Sequence, residues 1–141
     1  MVEVGVRGLA IVVFSGGYDR VHYALVLATA AAATDRPTTL FFTHRALPAL
    51  LAGDGWTRLD PADDGSPALD RDATLRARKV ADMDELLESA AALGVKFIAC
   101  EMGWRTLGIE QPALRPDLPV ETAGVVTLLS AVPADAQLLF V

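Results

Sequence analysis

Four short apolar runs, separated by helical patterns, constrain the fold of this chain more than any other feature. The runs are Leu9–Phe14, Thr38–Thr43, Val95–Ala99 and Gln137–Val141. Runs that are apolar throughout, without a polar residue at every second position, predict strands covered on both faces, as in parallel sheets. Their alternation with helices predicts an α/β fold, namely a three-layer α/β/α sandwich with a mainly parallel sheet of about five strands.

The first helix is predicted over about Arg20–Thr34, with Asp19 at its N-cap. Its inner face carries larger apolar residues, but its far side, Ala30–Ala33, is also small and apolar. A helix with so little polar surface is expected either inside the core or against another subunit. A short helical stretch, Arg45–Ala52, is predicted after the second strand.

In the second half of the chain, Asp82 and Glu85 form the pattern of a capping box, and the helix they open should end at Gly94. Two more helices are expected, one over Glu101–Leu107 and one over Glu121–Ala131. The inner face of the last helix should carry Val125, Leu128 and Leu129, and a short strand is predicted around Leu118–Val120.

Residues 53–81 break the pattern. This segment contains three glycines, two prolines and several aspartates, which predict a long irregular loop at about 53–81. Loops of this length are either lids and binding loops or mobile surface excursions, and the sequence leaves both open. The whole chain, residues 1–141, is predicted to be a single domain.

Composition excludes several classes of function. The net charge is −6 and no cluster of lysine and arginine stands out, so we expect no nucleic-acid partner. No apolar run is long enough to span a bilayer, and the first residues lack the anatomy of a signal peptide. With a single cysteine, the chain is expected to be cytoplasmic and not bound to a membrane.

That cysteine, Cys100, falls between the end of a predicted strand and the start of a predicted helix. Ligands of open α/β sheets bind beyond the carboxyl ends of the strands. The helix start can stabilise a thiolate there, whereas the neighbouring Glu101 disfavours it and could instead accept a proton. A lone cysteine in an apolar stretch is often simply a buried hydrophobe, so both interpretations stand.

Two other loops should reach the same edge. Ser15, Gly16, Gly17 and Tyr18 follow the first strand and could bind an anion through backbone amides, although a plain tight turn is the more common reason for such glycines. His44 and Arg45 follow the second strand.

His44, or His22 on the first helix, could act as a base for a cysteine, and Arg45 could attract an anion. For each histidine, however, a surface position without a chemical role is the more common case. We expect no metal site and no cofactor, because no metal-ligand spacing is present.

Several landmarks occur in a fixed order along the chain: SGGYD after the first strand, the strand TLFFTHRAL, the helix DMDELLESAAALGV, and KFIAC followed by EMGWRTLGI. Together these landmarks resemble the DsrE/DsrF-like family, a branch of which is sometimes labelled "peroxiredoxin family". The resemblance spans nearly the whole chain except Gly53–Ala81. The stretch from Ala99 to Ile109 is its most specific part.

The resemblance implies a sulfur carrier or sulfurtransferase-like protein, rather than a turnover enzyme, in which Cys100 holds a persulfide. It also implies donor and acceptor proteins and a homo-oligomer, a trimer or hexamer. Some relatives carry another cysteine near the second strand, where this chain has Thr43, His44 and Arg45. Two-cysteine chemistry is therefore not expected. The alternatives are an oligomeric module that binds a small anion or nucleotide, with Cys100 structural, and a scaffold without chemistry.

Overall fold

The computed structural model describes residues 7–141, whose strands form one sheet of five. The strand bounds are Leu9–Val13 (β1), Thr38–Phe42 (β2), Lys96–Cys100 (β3), Val120–Ala123 (β4) and Gln137–Phe140 (β5). Their order is β4-β3-β2-β1-β5, and every neighbouring pair is parallel. The predicted α/β fold with a parallel sheet is confirmed.

Helices cover the two faces of the sheet unequally. The helix bounds are Tyr18–Ala33 (α1), Ala68–Ala77 (α2), Met83–Ala92 (α3), Glu101–Thr106 (α4) and Val125–Ala131 (α5), with 3-10 helices at His44–Leu50 and Gly55–Arg58. α1 and α3 pack together over one face and close the main core. On the other face, α5 covers only part of the sheet, through Leu128, so the sheet lies between one complete and one partial helical layer.

Alternation along the strands assigns side chains to the two faces. Leu40 and Phe42 of β2 enter the main core, whereas Phe41 belongs to a smaller cluster with Ile98, Cys100 and Leu128. That smaller cluster is all that α5 covers. Beyond it, Phe14, Leu138 and Phe140 remain exposed on the α5 side of the sheet. We call these three residues the open face.

The prediction of an irregular loop at 53–81 is wrong. The segment contains the 3-10 helix Gly55–Arg58 and the helix α2, and its side chains Trp56, Leu59 and Leu75 are buried in the main core. Its glycines and prolines mark turns between these short elements. Gly53 and Gly65 adopt positive φ, and Pro67 precedes the first residue of α2.

A buried carboxylate fixes this segment to the core. Asp72 of α2 is 1% exposed and accepts a hydrogen bond from the Tyr18 hydroxyl at 2.5 Å. It also accepts from the backbone amide of Met83 at 2.8 Å and from Arg76 at 2.9 Å. One side chain thereby joins the first residues of α1 and α3 to α2.

The two predicted helix caps have different outcomes. Asp82 is the N-cap of α3 and accepts from the Glu85 amide at 2.9 Å, as the capping box predicts. Asp19 is not the N-cap of α1, because Gly17 holds that position and Asp19 lies in the first turn, where it pairs with Arg71.

The last helix also differs from its prediction over Glu121–Ala131. It begins at Val125, because the residues before it pair with β3 as strand β4. For the same reason the strand predicted around Leu118–Val120 lies later, as β4. Only Leu128 of the predicted inner face is buried, while Val125 and Leu129 are exposed. Within residues 7–141, no helix is long and apolar enough to cross a membrane.

Candidate functional site

Three loops lie side by side at the carboxyl edge of the sheet. They are residues 14–17 after β1, residues 43–45 after β2, and residues 100–103 at the junction of β3 and α4. Because β1, β2 and β3 are neighbours in that order, the sheet itself brings the loops together. Ligand sites of open parallel sheets form at this edge.

Two glycines allow these loops to touch. A Cβ atom on Gly16 would lie 2.5 Å from the Arg45 Cβ and 2.6 Å from the Arg45 carbonyl oxygen. A Cβ atom on Gly103 would lie 2.7 Å from Leu47 Cδ1 and 2.9 Å from the His44 amide nitrogen. Sequence reasoning missed both contacts, because a close approach between distant segments leaves no local signal.

Cys100 is the last residue of β3 and the N-cap of α4. Its Sγ accepts a hydrogen bond from the Gly103 amide at 3.4 Å, and the residue is 3% exposed. Ile98 and Leu128 pack with it in the smaller cluster. The thiol is therefore at the expected edge but covered, so a reagent reaches it only when its surroundings open.

His44 has an uncommon backbone conformation, with φ of 49°. Its Nδ1 lies 2.9 Å from Thr43 Oγ1, and its ring lies 4.7 Å from the Phe14 ring. Nε2 forms no hydrogen bond within the described chain. A groove of about 320 Å³ lies beside this ring, and Phe14, Ser15, Gly16, Arg45 and Asp60 also line it.

Arg45 is already paired. Its guanidinium forms two hydrogen bonds with the Asp60 carboxylate, one of them from Nε to Oδ2 at 2.8 Å. The hydrogen bond with Arg45 lowers the pKa of Asp60, and the same bond raises the pKa of Arg45. The Asp60 carboxylate thus competes with any anionic ligand for this guanidinium. Glu101 is exposed and forms no ion pair within residues 7–141.

The loop Ser15–Tyr18 offers fewer free amides than its sequence indicates. The Gly17 amide donates to Ser15 Oγ at 3.1 Å, and the Tyr18 amide donates to the Asp60 carbonyl at 3.1 Å. The Tyr18 side chain is buried, so it does not reach a ligand at this edge. Burial, followed by the hydrogen bond to Asp72, raises the pKa of Tyr18 well above its usual value.

His22 lies apart from the other candidates. It is buried, contrary to the expectation of a surface residue, and its Nε2 is 2.8 Å from the Ala81 carbonyl oxygen. This contact joins α1 to the start of α3 rather than to the carboxyl edge. In the part of the chain that the structure describes, no group of three His, Cys, Asp or Glu side chains could hold one metal ion.

Comparison with known proteins supplies the remaining observations. The model of the DsrE/DsrF/DrsH-like family matches residues 67–139, which is just over half of the chain. The uncharacterised protein YrkE of Bacillus subtilis (strain 168) is 28% identical over 90% of this chain and 89% of that protein. The crystal structure of the ychN protein from E. coli has a similar fold, with a TM-score of 0.59 and 17% identity over 95% of this chain and 99% of that one.

Proposed function

The chain belongs to the DsrE/DsrF/DrsH-like family, and we propose that it is a cytoplasmic sulfur carrier that holds a persulfide on Cys100. The observation that carries this proposal is the position of Cys100, at the carboxyl end of a central strand with its Sγ bonded to the Gly103 amide. An N–H donor stabilises a negatively charged sulfur atom. It can therefore stabilise both the free thiolate and the ionised persulfide of Cys100.

The proposed step is an exchange between sulfur atoms. The Cys100 thiolate attacks the terminal sulfur of a donor persulfide, R–S–SH, so that a new S–S bond forms to Cys100 and the S–S bond of the donor breaks. The electron pair leaves with R–S⁻, and Cys100–S–SH keeps the proton. An acceptor thiolate on a partner protein then takes the terminal sulfur in the same way. No external oxidant is needed, and access to the thiolate governs the rate.

Two neighbours could assist this step to different degrees. His44 follows the adjacent strand, and its Nε2 has no partner within the described residues, so we assign it as the acceptor of the thiol proton. Arg45 is bound to Asp60 and contributes less. Exposed Glu101 directly follows Cys100 in the chain, and a negative charge at this position opposes a thiolate.

Intact-mass spectrometry tests the proposal. Wild type and Cys100→Ser are incubated with a polysulfide, and we expect adducts of one or more sulfur atoms on the wild type alone. Reduction with a thiol should remove them. An unmodified wild type, or an equally modified Cys100→Ser variant, would refute the carrier function.

Burial of Cys100 at 3% exposure favours a second candidate, in which the thiol is structural and the groove beside His44 binds a small anion or nucleotide. A thermal shift with phosphate or nucleotides that persists in Cys100→Ala would support this candidate. The occupied amides of Gly17 and Tyr18 weigh against it.

We also propose that the open face packs against a second copy of the chain, in a homo-oligomer such as a trimer or hexamer. Phe140 is 71% exposed and stacks on Phe14 at 5.5 Å, and Leu138 is 53% exposed. Contiguous apolar side chains on an edge strand are a typical interaction surface.

Light scattering tests this interface. Phe140→Glu should yield monomers. Ala30→Glu, on the exposed alanine side of α1, should leave the assembly intact. If only Ala30→Glu dissociated the protein, the interface would lie on α1 instead.

A further inference from the structure

The helix α5 covers Cys100, but a single side chain holds it to the sheet. Leu128 is the one buried residue of this helix, and it packs with Cys100 in the smaller cluster. Val132, just after the helix, is partly buried against the same cluster. The other large apolar side chains of α5 are exposed, namely Val125, Val126 and Leu129. The cover over the thiol therefore has a small area of contact with the sheet.

No polar contact strengthens this attachment. Within residues 7–141, no hydrogen bond or ion pair joins residues 125–132 to another helix or strand, and the N-cap Gly124 has no side chain to cap α5. The helix α3 on the opposite face differs, because it has four buried residues and its N-cap Asp82 accepts from the Glu85 amide. With seven residues, α5 is also too short to persist as a helix without packing. Its position thus depends mainly on Leu128.

The strands on either side of α5 fix the ends of this segment. Ala123 of β4 pairs with Cys100, and Gln137 of β5 pairs with Leu9. Because residues 124–136 lie between these two pairs, α5 can lift from the sheet while all five strands remain paired. Lifting exposes about one leucine side chain to water, which corresponds to on the order of one open molecule in a hundred.

We propose that α5 is a lid, which opens while the rest of the domain stays folded and thereby controls access to Cys100. The thiol lies on the α5 side of the sheet, so an open lid uncovers it from that side. Local openings of this kind involve the least stable elements of a fold. As an account of how sulfur donors and acceptors reach the thiol, the inference rests on the proposed function.

An exposed position of α5 tests the lid without altering the core. Thr127 is exposed, and glycine there lowers the stability of the helix relative to alanine. Iodoacetamide reacts only with open molecules, so native Thr127→Gly should be alkylated at Cys100 about fivefold faster than Thr127→Ala. Ser89 is an exposed position of α3, which does not cover the thiol. Ser89→Gly and Ser89→Ala, the matched pair, should therefore be alkylated at equal rates.

Two results would overturn the lid. One is an equal rate for the two Thr127 variants. The other is a fivefold difference within both pairs, because the thiol would then react only after global unfolding. Urea provides a second measurement, since the opening of α5 exposes little surface. The alkylation rate should rise with urea much less steeply than the equilibrium constant of global unfolding. Equal slopes would contradict a local opening.

The lid and the carrier fail separately, because alkylation requires no sulfur chemistry. A fivefold difference between the Thr127 variants, without polysulfide adducts on Cys100, would retain the lid and remove the carrier. Polysulfide adducts together with equal alkylation rates would retain the carrier and remove the lid.

Discussion

The amide nitrogen of Gly103 lies 3.4 Å from Sγ of Cys100, on a glycine whose missing side chain leaves room for the His44 backbone. One residue thus donates to the thiol and sets the distance between α4 and the loop after β2. The proton acceptor proposed for the thiol lies on that loop. The geometry of the candidate site therefore depends on the absence of a single methyl group.

Gly103→Ala should consequently disturb both functions of this position. We expect the free energy of unfolding to fall by about 2 kcal/mol, since a Cβ would overlap Leu47 and His44. Cys100 should be alkylated faster, because the added methyl group forces α4 and the 3-10 helix apart. Gly124→Ala is the matched control, as no atom lies within 4 Å of its Cβ position. Similar unfolding curves for the two variants would contradict the close contact.

Leu128 is the α5 residue that covers Cys100, and it is 1% exposed. Leu128→Ala should lower the free energy of unfolding by about 3 kcal/mol and raise the rate of thiol labelling in the native protein. Leu129→Ala, one position along the same helix at an exposed site, should change neither. Unchanged labelling in Leu128→Ala would mean that access to Cys100 does not pass beneath α5.

Asp72 should be more important for stability than any other carboxylate in its helix. Asp72→Ala leaves the Tyr18 hydroxyl and the Met83 amide without an acceptor in a buried place. We expect a loss of about 3 kcal/mol and faster proteolysis between residues 53 and 81. Asp70→Ala, an exposed position of α2, should behave as wild type in both assays. Equal proteolysis of the two variants would show that Asp72 does not fix the segment.

Acid should weaken an ion-pair cluster between α3 and the segment before β4. Arg115 donates to both Asp117 and Asp84, and its hydrogen bond lowers the pKa of Asp117 below 3.8. A carboxyl group whose pKa is lower in the folded state than in the unfolded chain stabilises the protein at pH values above the unfolded-state pKa. That contribution is lost as the pH falls through the folded-state value. Asp117→Asn should therefore reduce the slope of stability against pH in acid, as followed by urea unfolding. An unchanged slope below pH 3.8 would contradict this linkage.

The sequence predicted what depends on local patterns. The strands β1, β2, β3 and β5, the helices α1 and α3, and the short helix after Cys100 follow from apolar runs, caps and glycine stops, which neighbouring residues determine. The segment 53–81 was misjudged because its helix is stabilised by Asp72, whose partners Tyr18 and Met83 belong to other elements.

Within the candidate site, the sequence predicts that the strand ends meet at one edge of the sheet, but it predicts neither the order of the strands nor the contacts between the loops. Cys100, His44 and Arg45 could be assigned to one edge because parallel strands end together. The pairing of Arg45 with Asp60 and the contact of Gly103 with His44 arise from tertiary packing, which no spacing in the sequence encodes.

The order of the sheet has a consequence for synthesis on the ribosome. β1 pairs with β2 on one side and with β5 on the other, and Leu9 and Gln137 are partners although 128 positions (137 − 9) separate them. The edge of β1 that pairs with β5 therefore remains unpaired until nearly all of this chain has been synthesised. At typical translation rates this takes on the order of ten seconds. During that interval the nascent chain presents an apolar strand edge to its surroundings, and chaperones acting early in synthesis should matter more for this protein than its small size indicates.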